Sequence, residues 1–210
     1  RAAALAEQEK RKANSAMELL DSRIFENKYV AYISVGGAFT PNWVSLGLPI
    51  MSLFGMSTAM KTVGHIDAYN MGRRGNPLLH DDLTDQVSDL AKHLVDSIGK
   101  PYDQVTWFGD EGVCPVCHNK LITVGKSTAI ECPVCGIEGT LSIEGKEVKV
   151  LFSEAQKNRA RNTLKGLTEH YIEISTMKDY CIPILEANKD KLPSLLEKYR
   201  GYKPTYKSKQ

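Results

Sequence analysis

The sequence predicts an α/β fold built on an open, doubly wound parallel sheet, joined to a small metal-closed β ribbon and C-terminal helices. Three observations predict it. Residues 1–100 alternate helical and strand patterns in the order helix, strand, buried helix, strand, helix, the signature of a sheet wound with crossover helices. Two motifs, Cys114-Pro115-Val116-Cys117 and Cys132-Pro133-Val134-Cys135, predict a ribbon stapled by four thiolates. Helical patterning resumes after residue 153. The expected units are 1-105 for the sheet domain, 106-152 for the ribbon and 153-210 for the helices with a basic Tyr/Lys tail.

With 210 residues, 42% hydrophobic and 25% charged, the chain can bury one substantial core plus a small one. A net charge of +2 supplies no field that would by itself recruit nucleic acid or a membrane surface. Five cysteines, four of them in the two motifs, leave Cys181 alone. That usage fits a reducing, cytoplasmic setting better than a disulfide scaffold. The chain opens on Arg1 in a helical stretch, so a segment is expected to precede it.

Residues 1–22 are rich in Ala, Glu, Lys and Leu, with Ala13, Ala16, Met17 and Leu20 at helical spacing. Lys28 to Ser34 is β-branched and aromatic and runs directly into Val35-Gly36-Gly37. Such a run reads as a buried parallel strand delivering a loop, where small residues let a ligand approach the backbone. From Tyr29 to Met60 no residue is charged. Glycines, Pro41, Pro49 and hydroxyl side chains interrupt the stretch, so it is expected not to span a membrane. Thr40 is instead expected to cap a helix with Pro41 at its first position, running toward Met56 with a bend near Pro49. Being apolar all round, that helix should be buried against other protein or a partner copy. Lys61 to Asp67 reads as a second strand, with His65 expected in a structural role. Asp81 to Ile98 is an amphipathic helix with Asp81 and Asp82 in its first turn.

In each Cys-x-x-Cys knuckle the thiolates lie close enough to share one ion. Fourteen residues separate Cys117 from Cys132, one fewer than the usual ribbon spacing of about 15–20 and still enough for a hairpin. Cys114, Cys117, Cys132 and Cys135 are therefore candidate ligands of zinc or a single iron, with paired disulfides as the competing reading. Iron sites of the rubredoxin type are wrapped by aromatic rings, and residues 114–150 contain none, which favours zinc. Short β-prone pieces (121–124, 128–130, 140–143 and 148–152) supply the ribbon, with Gly125-Lys126 and Glu144-Gly145 as turns. His118 is expected as a surface residue. Ser153 should cap one helix from Glu154 to about Met177, with Arg159, Arg161 and Lys165 on a solvated face; a further short helix follows Cys181-Ile182-Pro183.

Three stretches together resemble the flavodoxin-like NAD(P)H-dependent FMN reductases, the group related to iron–sulfur flavoproteins. They are Tyr32 to Ala38 with Asn42-Trp43, the strand through Asp67 with its Met71-Gly72 to Pro77 loop, and Trp107 to Gly112 running into the first knuckle. Their order covers residues 10 to 180. The resemblance implies FMN as cofactor and NAD(P)H as cosubstrate. It places Ser34, Val35, Gly36, Gly37 and Ala38 along the flavin ring with Asn42 and Trp43 close behind. It implies a homo-oligomer, and the uncharged helix after Pro41 is the candidate contact. The family's phosphate-binding loop has no counterpart here: either an upstream segment or a second chain supplies it, or the flavin site has been lost.

Three functions follow as expectations: an FMN oxidoreductase passing electrons from NAD(P)H to an acceptor, a rubredoxin-like iron electron carrier, or a zinc-ribbon docking protein. The ribbon mixes Lys120, Lys126, Lys146 and Lys149 with Glu131, Glu138, Glu144 and Glu147, whereas a nucleic-acid ribbon would carry a basic excess.

Overall fold

A computed structural model describes residues 21–201. The helix expected over residues 1–22 and the tail beyond residue 201 lie largely outside the described residues. Strands β1 (Tyr29–Val35) and β2 (Lys61–Ala68) pair in parallel, with Tyr32 beside His65 and Ser34 beside Asp67. Phe108 extends the sheet past β2 through a parallel bridge to Gly64. Helix α1 (Gly47–Ser57) connects the strands and α2 (Asp81–Ser97) follows β2. Parallel neighbours need such crossovers.

The pleat assigns each face. A Cβ on Gly55 would meet the Tyr32 hydroxyl, and one on Gly47 would collide with the Ser34 hydroxyl, so Tyr32 and Ser34 lie under α1. Their paired neighbours His65 and Asp67 share that face. Gly64 instead faces α2, where an added Cβ would lie 2.7 Å from Leu90. The strand starts are tied by the Tyr102 hydroxyl, which accepts from the Lys28 N–H at 2.8 Å and lies 2.9 and 3.0 Å from the carbonyls of Lys28 and Ala59.

The helix expected from Thr40 begins later, at Gly47. Thr40 hydrogen-bonds Asn42 rather than capping, Trp43 takes a φ of 74°, and a 3-10 turn spans Val44–Leu46. Pro49 is compatible with this start because it sits in the first turn of α1, where a missing N–H leaves no intrahelical bond unmade, and the close packing of Gly47 on Ser34 and Gly55 on Tyr32 selects it. The helix is not buried all round among the described residues: Leu48, Ser52, Gly55 and Met56 are buried, whereas Ile50, Leu53 and Phe54 are exposed.

The second sheet is antiparallel in the order β3 (Thr123–Val124), β4 (Ala129–Glu131), β5 (Glu138–Glu144), β6 (Glu147–Leu151). Gly145, with φ 64°, makes the tight β5–β6 turn. The knuckle core does not stop at the ribbon. The four cysteines, Val134 and Ile137 pack with Met56 from α1 and Ala160 beyond β6.

The single helix expected from Glu154 is broken. Ser153 caps only α3 (Glu154–Lys157), and α4 (Leu164–Ala187) restarts at Thr163, whose hydroxyl accepts from the Gly166 N–H at 3.1 Å. A Cβ on Gly166 would strike the Arg159 and Ala160 carbonyls, so glycine lets the break fold onto the new helix. Helix α4 continues through Pro183, and α5 (Leu192–Arg200) follows. Arg159 and Arg161 are not simply solvated: they pair with Glu169 at 3.0 Å and Glu173 at 3.3 Å. Among the described residues no helix is long and apolar enough to cross a membrane.

Candidate functional site

The two knuckles are copies of one turn. His118 N–H donates to the Cys114 carbonyl and Gly136 N–H to the Cys132 carbonyl, both at 2.9 Å. The residue after each second cysteine is left-handed, Gly136 at φ 72° and His118 at φ 56°. Glycine adopts that conformation freely and histidine does not. His118 is held there by a stack on Trp107, with centroids 3.7 Å apart and planes 12° apart, and by Nδ1 at 3.1 Å from the Glu111 carbonyl. It is thus a wedge between ribbon and sheet rather than the expected surface residue, because the left-handed turn drives its ring inward. Gly112 makes room, since a Cβ there would collide with the His118 carbonyl.

The four Sγ atoms lie within 4.8 Å of one another and all four residues are buried. The Cys114–Cys135 pair is 3.5 Å apart and the Cys117–Cys132 pair 3.4 Å. A tetrahedron with Zn–S bonds of about 2.3 Å has sulfurs roughly 3.8 Å apart, so this donor set fits a four-thiolate cation site. Disulfides are absent from the described cysteines. Hydrogen bonds from neighbouring thiols push Cys114 and Cys132 below the ordinary thiol range, while the same crowding drives Cys117 and Cys135 up. A cation bound among them would offset the mutual repulsion of four thiolates at this spacing.

At the glycine loop, Gly36 N–H donates to the Ala68 carbonyl at 2.9 Å. The Gly36 carbonyl accepts from Met71 N–H at 2.9 Å, and Ala38 accepts from Asn70 N–H at 2.8 Å. The loops leaving β1 and β2 are therefore zipped together. A Cβ on Gly36 would lie 2.5 Å from Val44, and one on Gly37 3.0 Å from the Gly72 Cα, so loop packing itself demands both glycines. Ser34 is buried beneath α1, whereas Val35, Gly37, Asn42 and Trp43 are each exposed. Trp43 is 89% exposed. This uncharged, apolar rim fits the flat ring of a flavin. The phosphate end finds no cationic cradle within residues 34–43, where the sequence carries no charge.

A second feature is announced by no sequence motif. A cleft of about 280 Å³ opens between the carboxyl end of β2, the start of α1 and the first knuckle. Its lining includes His65, Asp67, Tyr69, Leu48, Pro49 and Leu121. His65 is 8% exposed and meets the edge of Trp107 at 4.9 Å. Burial, with the nearby charges of Lys120 and His118, pushes its pKa down to about 4, against the opposing pull of Asp67 and Asp110. Tyr69 donates its hydroxyl to Asp67 Oδ2 at 2.7 Å. Its own pKa is pushed up to about 12 by burial and by that carboxylate. His65 Nε2 and Asp67 Oδ1 are buried without a partner among the described residues. The signal that could have found this group is the period of two: residues 65, 67 and 69 share one face at the end of a parallel strand, where open α/β sheets bind ligands.

Fold and site together define a mixed α/β chain with a four-thiol ribbon roofing a cleft at its strand ends. No family model matches it. A flavone synthase of Aspergillus candidus, cfoJ, is 26% identical over 155 residues, 72% of this chain and 48% of that protein. The chain thus spans about half the length of that curated relative. The solved structure of a flavone reductase superposes with a TM-score of 0.70, covering 95% of this chain and 68% of its own at 20% identity. That likeness shows a shared fold.

Proposed function

We propose that this chain forms part of a flavodoxin-like, FMN-dependent NAD(P)H oxidoreductase whose organic acceptor is a planar flavone-type molecule. The observation that carries the reading is the zipped pair of loops at the carboxyl ends of β1 and β2. It presents Val35, Gly37, Asn42 and Trp43 as an open, uncharged edge, at the place where doubly wound sheets hold flat cofactors. The names of the two similar proteins support an oxidoreductase and supply the acceptor class. When bound, FMN supplies the hydride chemistry; the protein binds, orients and shields it. Val35 and the backbone at Gly36–Ala38 would lie along the ring, with Trp43 against its exposed side. Zinc in the Cys114, Cys117, Cys132 and Cys135 cage leaves no open coordination position, so its role is to hold the ribbon closed over the strand ends.

The test is cofactor analysis of the full-length gene product. The reading expects yellow protein with releasable FMN, one zinc per chain and bleaching by NADH or NADPH under anaerobic conditions. Trp43→Ala should weaken FMN affinity about fivefold, the worth of one aromatic contact of roughly 1 kcal/mol, with little effect on folding because Trp43 is exposed. Red protein that bleaches on reduction would assign an iron electron carrier instead. Colourless protein with one zinc and no flavin would leave a docking ribbon.

A further inference from the structure

We propose that the cleft beneath the first knuckle is a recognition site for a neutral, planar phenol, whose hydroxyl is taken up by Asp67 beside His65. This deepens the oxidoreductase reading and rests on it for the identity of the ligand as acceptor; the site itself stands on the following geometry.

The cleft's chemistry is unbalanced in one direction. Asp67 accepts one hydrogen bond, from Tyr69 at 2.7 Å, and its other oxygen has no partner among the described residues. His65 Nε2, on the same strand face and more than nine-tenths buried, has none either. An unpaired polar group sealed from water costs on the order of 1–3 kcal/mol, and two at one end of a cleft point to a ligand that completes them. Carboxylate oxygens only accept, so the ligand must donate. The walls around these groups are Leu48, Pro49 and Leu121, which suit the faces of a ring. Pockets of this character bind ligands that are mostly apolar with a few placed polar atoms.

Charge narrows the class further. Asp67 at the floor disfavours anions, which excludes the phosphates of a dinucleotide. The apolar walls disfavour a cation as well, because Leu48, Pro49 and Leu121 offer nothing in exchange for its water. A neutral donor remains, and on an aromatic frame that is a phenolic hydroxyl. The volume of about 280 Å³ lies at the small end of the range of roughly 300–1,000 Å³ for small-molecule sites. It matches a compact ring system rather than a whole nicotinamide dinucleotide. Leu121 and Asn119 come from the knuckle itself, so the roof exists only while the ribbon is closed. Asn119 is fastened there by a bond from its amide to the Leu121 carbonyl at 2.6 Å.

The experiment is equilibrium binding of two probes, a monohydroxyflavone and the parent flavone, to the zinc-loaded full-length protein, followed by calorimetry. The hydroxylated probe should bind roughly tenfold more tightly, the smaller end of what a hydrogen bond to a charged group provides. Asp67→Asn should reduce that preference to within about twofold. Ser45→Trp, which fills the cleft from the wall opposite β2, should abolish binding of both probes while zinc content and circular dichroism stay unchanged. Equal affinities for both probes, or binding indifferent to both substitutions, overturn the proposal. Flavin content separates it from the reading it rests on. Flavin-free protein that binds the phenol in an Asp67-dependent way upholds the site and sinks the flavin. Flavin-loaded protein indifferent to Asp67→Asn and Ser45→Trp does the reverse.

Discussion

Stripping the proposed zinc from the knuckles should unfold the ribbon and leave the parallel sheet standing. The four cysteines make up half of the eight buried residues in their cluster; among the described residues Val134 and Ile137 are its buried non-ligand ribbon side chains, with Val116, Ile122 and Phe152 partly buried against it. Structural zinc in small four-ligand modules is worth about 10–16 kcal/mol, comparable to or above the total stability of roughly 5–15 kcal/mol of an ordinary domain. Two buried apolar side chains at about 1.5–3 kcal/mol each, with three partly buried ones adding less, fall short of it. Loss should spread to the start of α4, because Arg161 N–H donates to the Cys135 carbonyl at 2.9 Å and Glu138 N–H to Gln156 at 3.0 Å. It should stop short of β2, whose Val63 carbonyl binds Phe108 N–H at 2.9 Å through backbone alone. Hydrogen exchange with and without a chelator measures both. The amides of Cys132 and Gly136, bonded at 2.9 Å to Ile137 and Cys132, should lose protection by a factor of about 10³ or more, equivalent to roughly 4 kcal/mol. The β1 and β2 amides should change by less than about tenfold. Cysteine-knuckle amides that stay protected in metal-free protein would refute the reasoning.

Two further outcomes test the sheet. Gly64→Ala places a Cβ 2.6 Å from the Phe108 carbonyl and 2.7 Å from Leu90; overpacking of this kind should cost about 1–3 kcal/mol in urea unfolding, and an unchanged midpoint would mean that Phe108 does not lie against β2. His65, held neutral by burial with a pKa near 4, makes the unfolded state bind the extra proton below about pH 6.5, so stability should fall from there toward pH 4. The loss should approach at most about 3 kcal/mol at that lower limit, and in zinc-loaded protein His65→Gln should flatten the difference between pH 7 and pH 5.

How much of this was legible beforehand differs from element to element. Both parallel strands, α2 and all four ribbon strands are where hydrophobic period and turn residues put them. The start of α1 was misplaced because Thr40-Pro41 and Pro49 offer rival helix starts, and only packing against Ser34 and Tyr32 selects the second. The break at 158–163 was missed because a helical period continues across it; Thr163 and Gly166 read as ordinary helix residues until the chain is seen to turn back on the knuckle. His118 looked like surface because no local pattern announces a left-handed histidine stacked on Trp107.

Sequence is enough to announce the two Cys-x-x-Cys knuckles, since residue type and the x-x spacing act within one turn; that the two turns face each other is a tertiary fact. Sequence likewise determined the strand that ends in Gly36-Gly37, whose apolar run and small residues are local properties. What those features enclose is set by contacts between distant parts of the chain. The cleft is made of β2, α1 and the knuckle, three stretches far apart in the chain, and His65 and Asp67 acquire their unpaired atoms only when all three meet. Burial and hydrogen-bond satisfaction are properties of that assembly, and they move the site of interest from the glycine loop alone to the space between it and the ribbon.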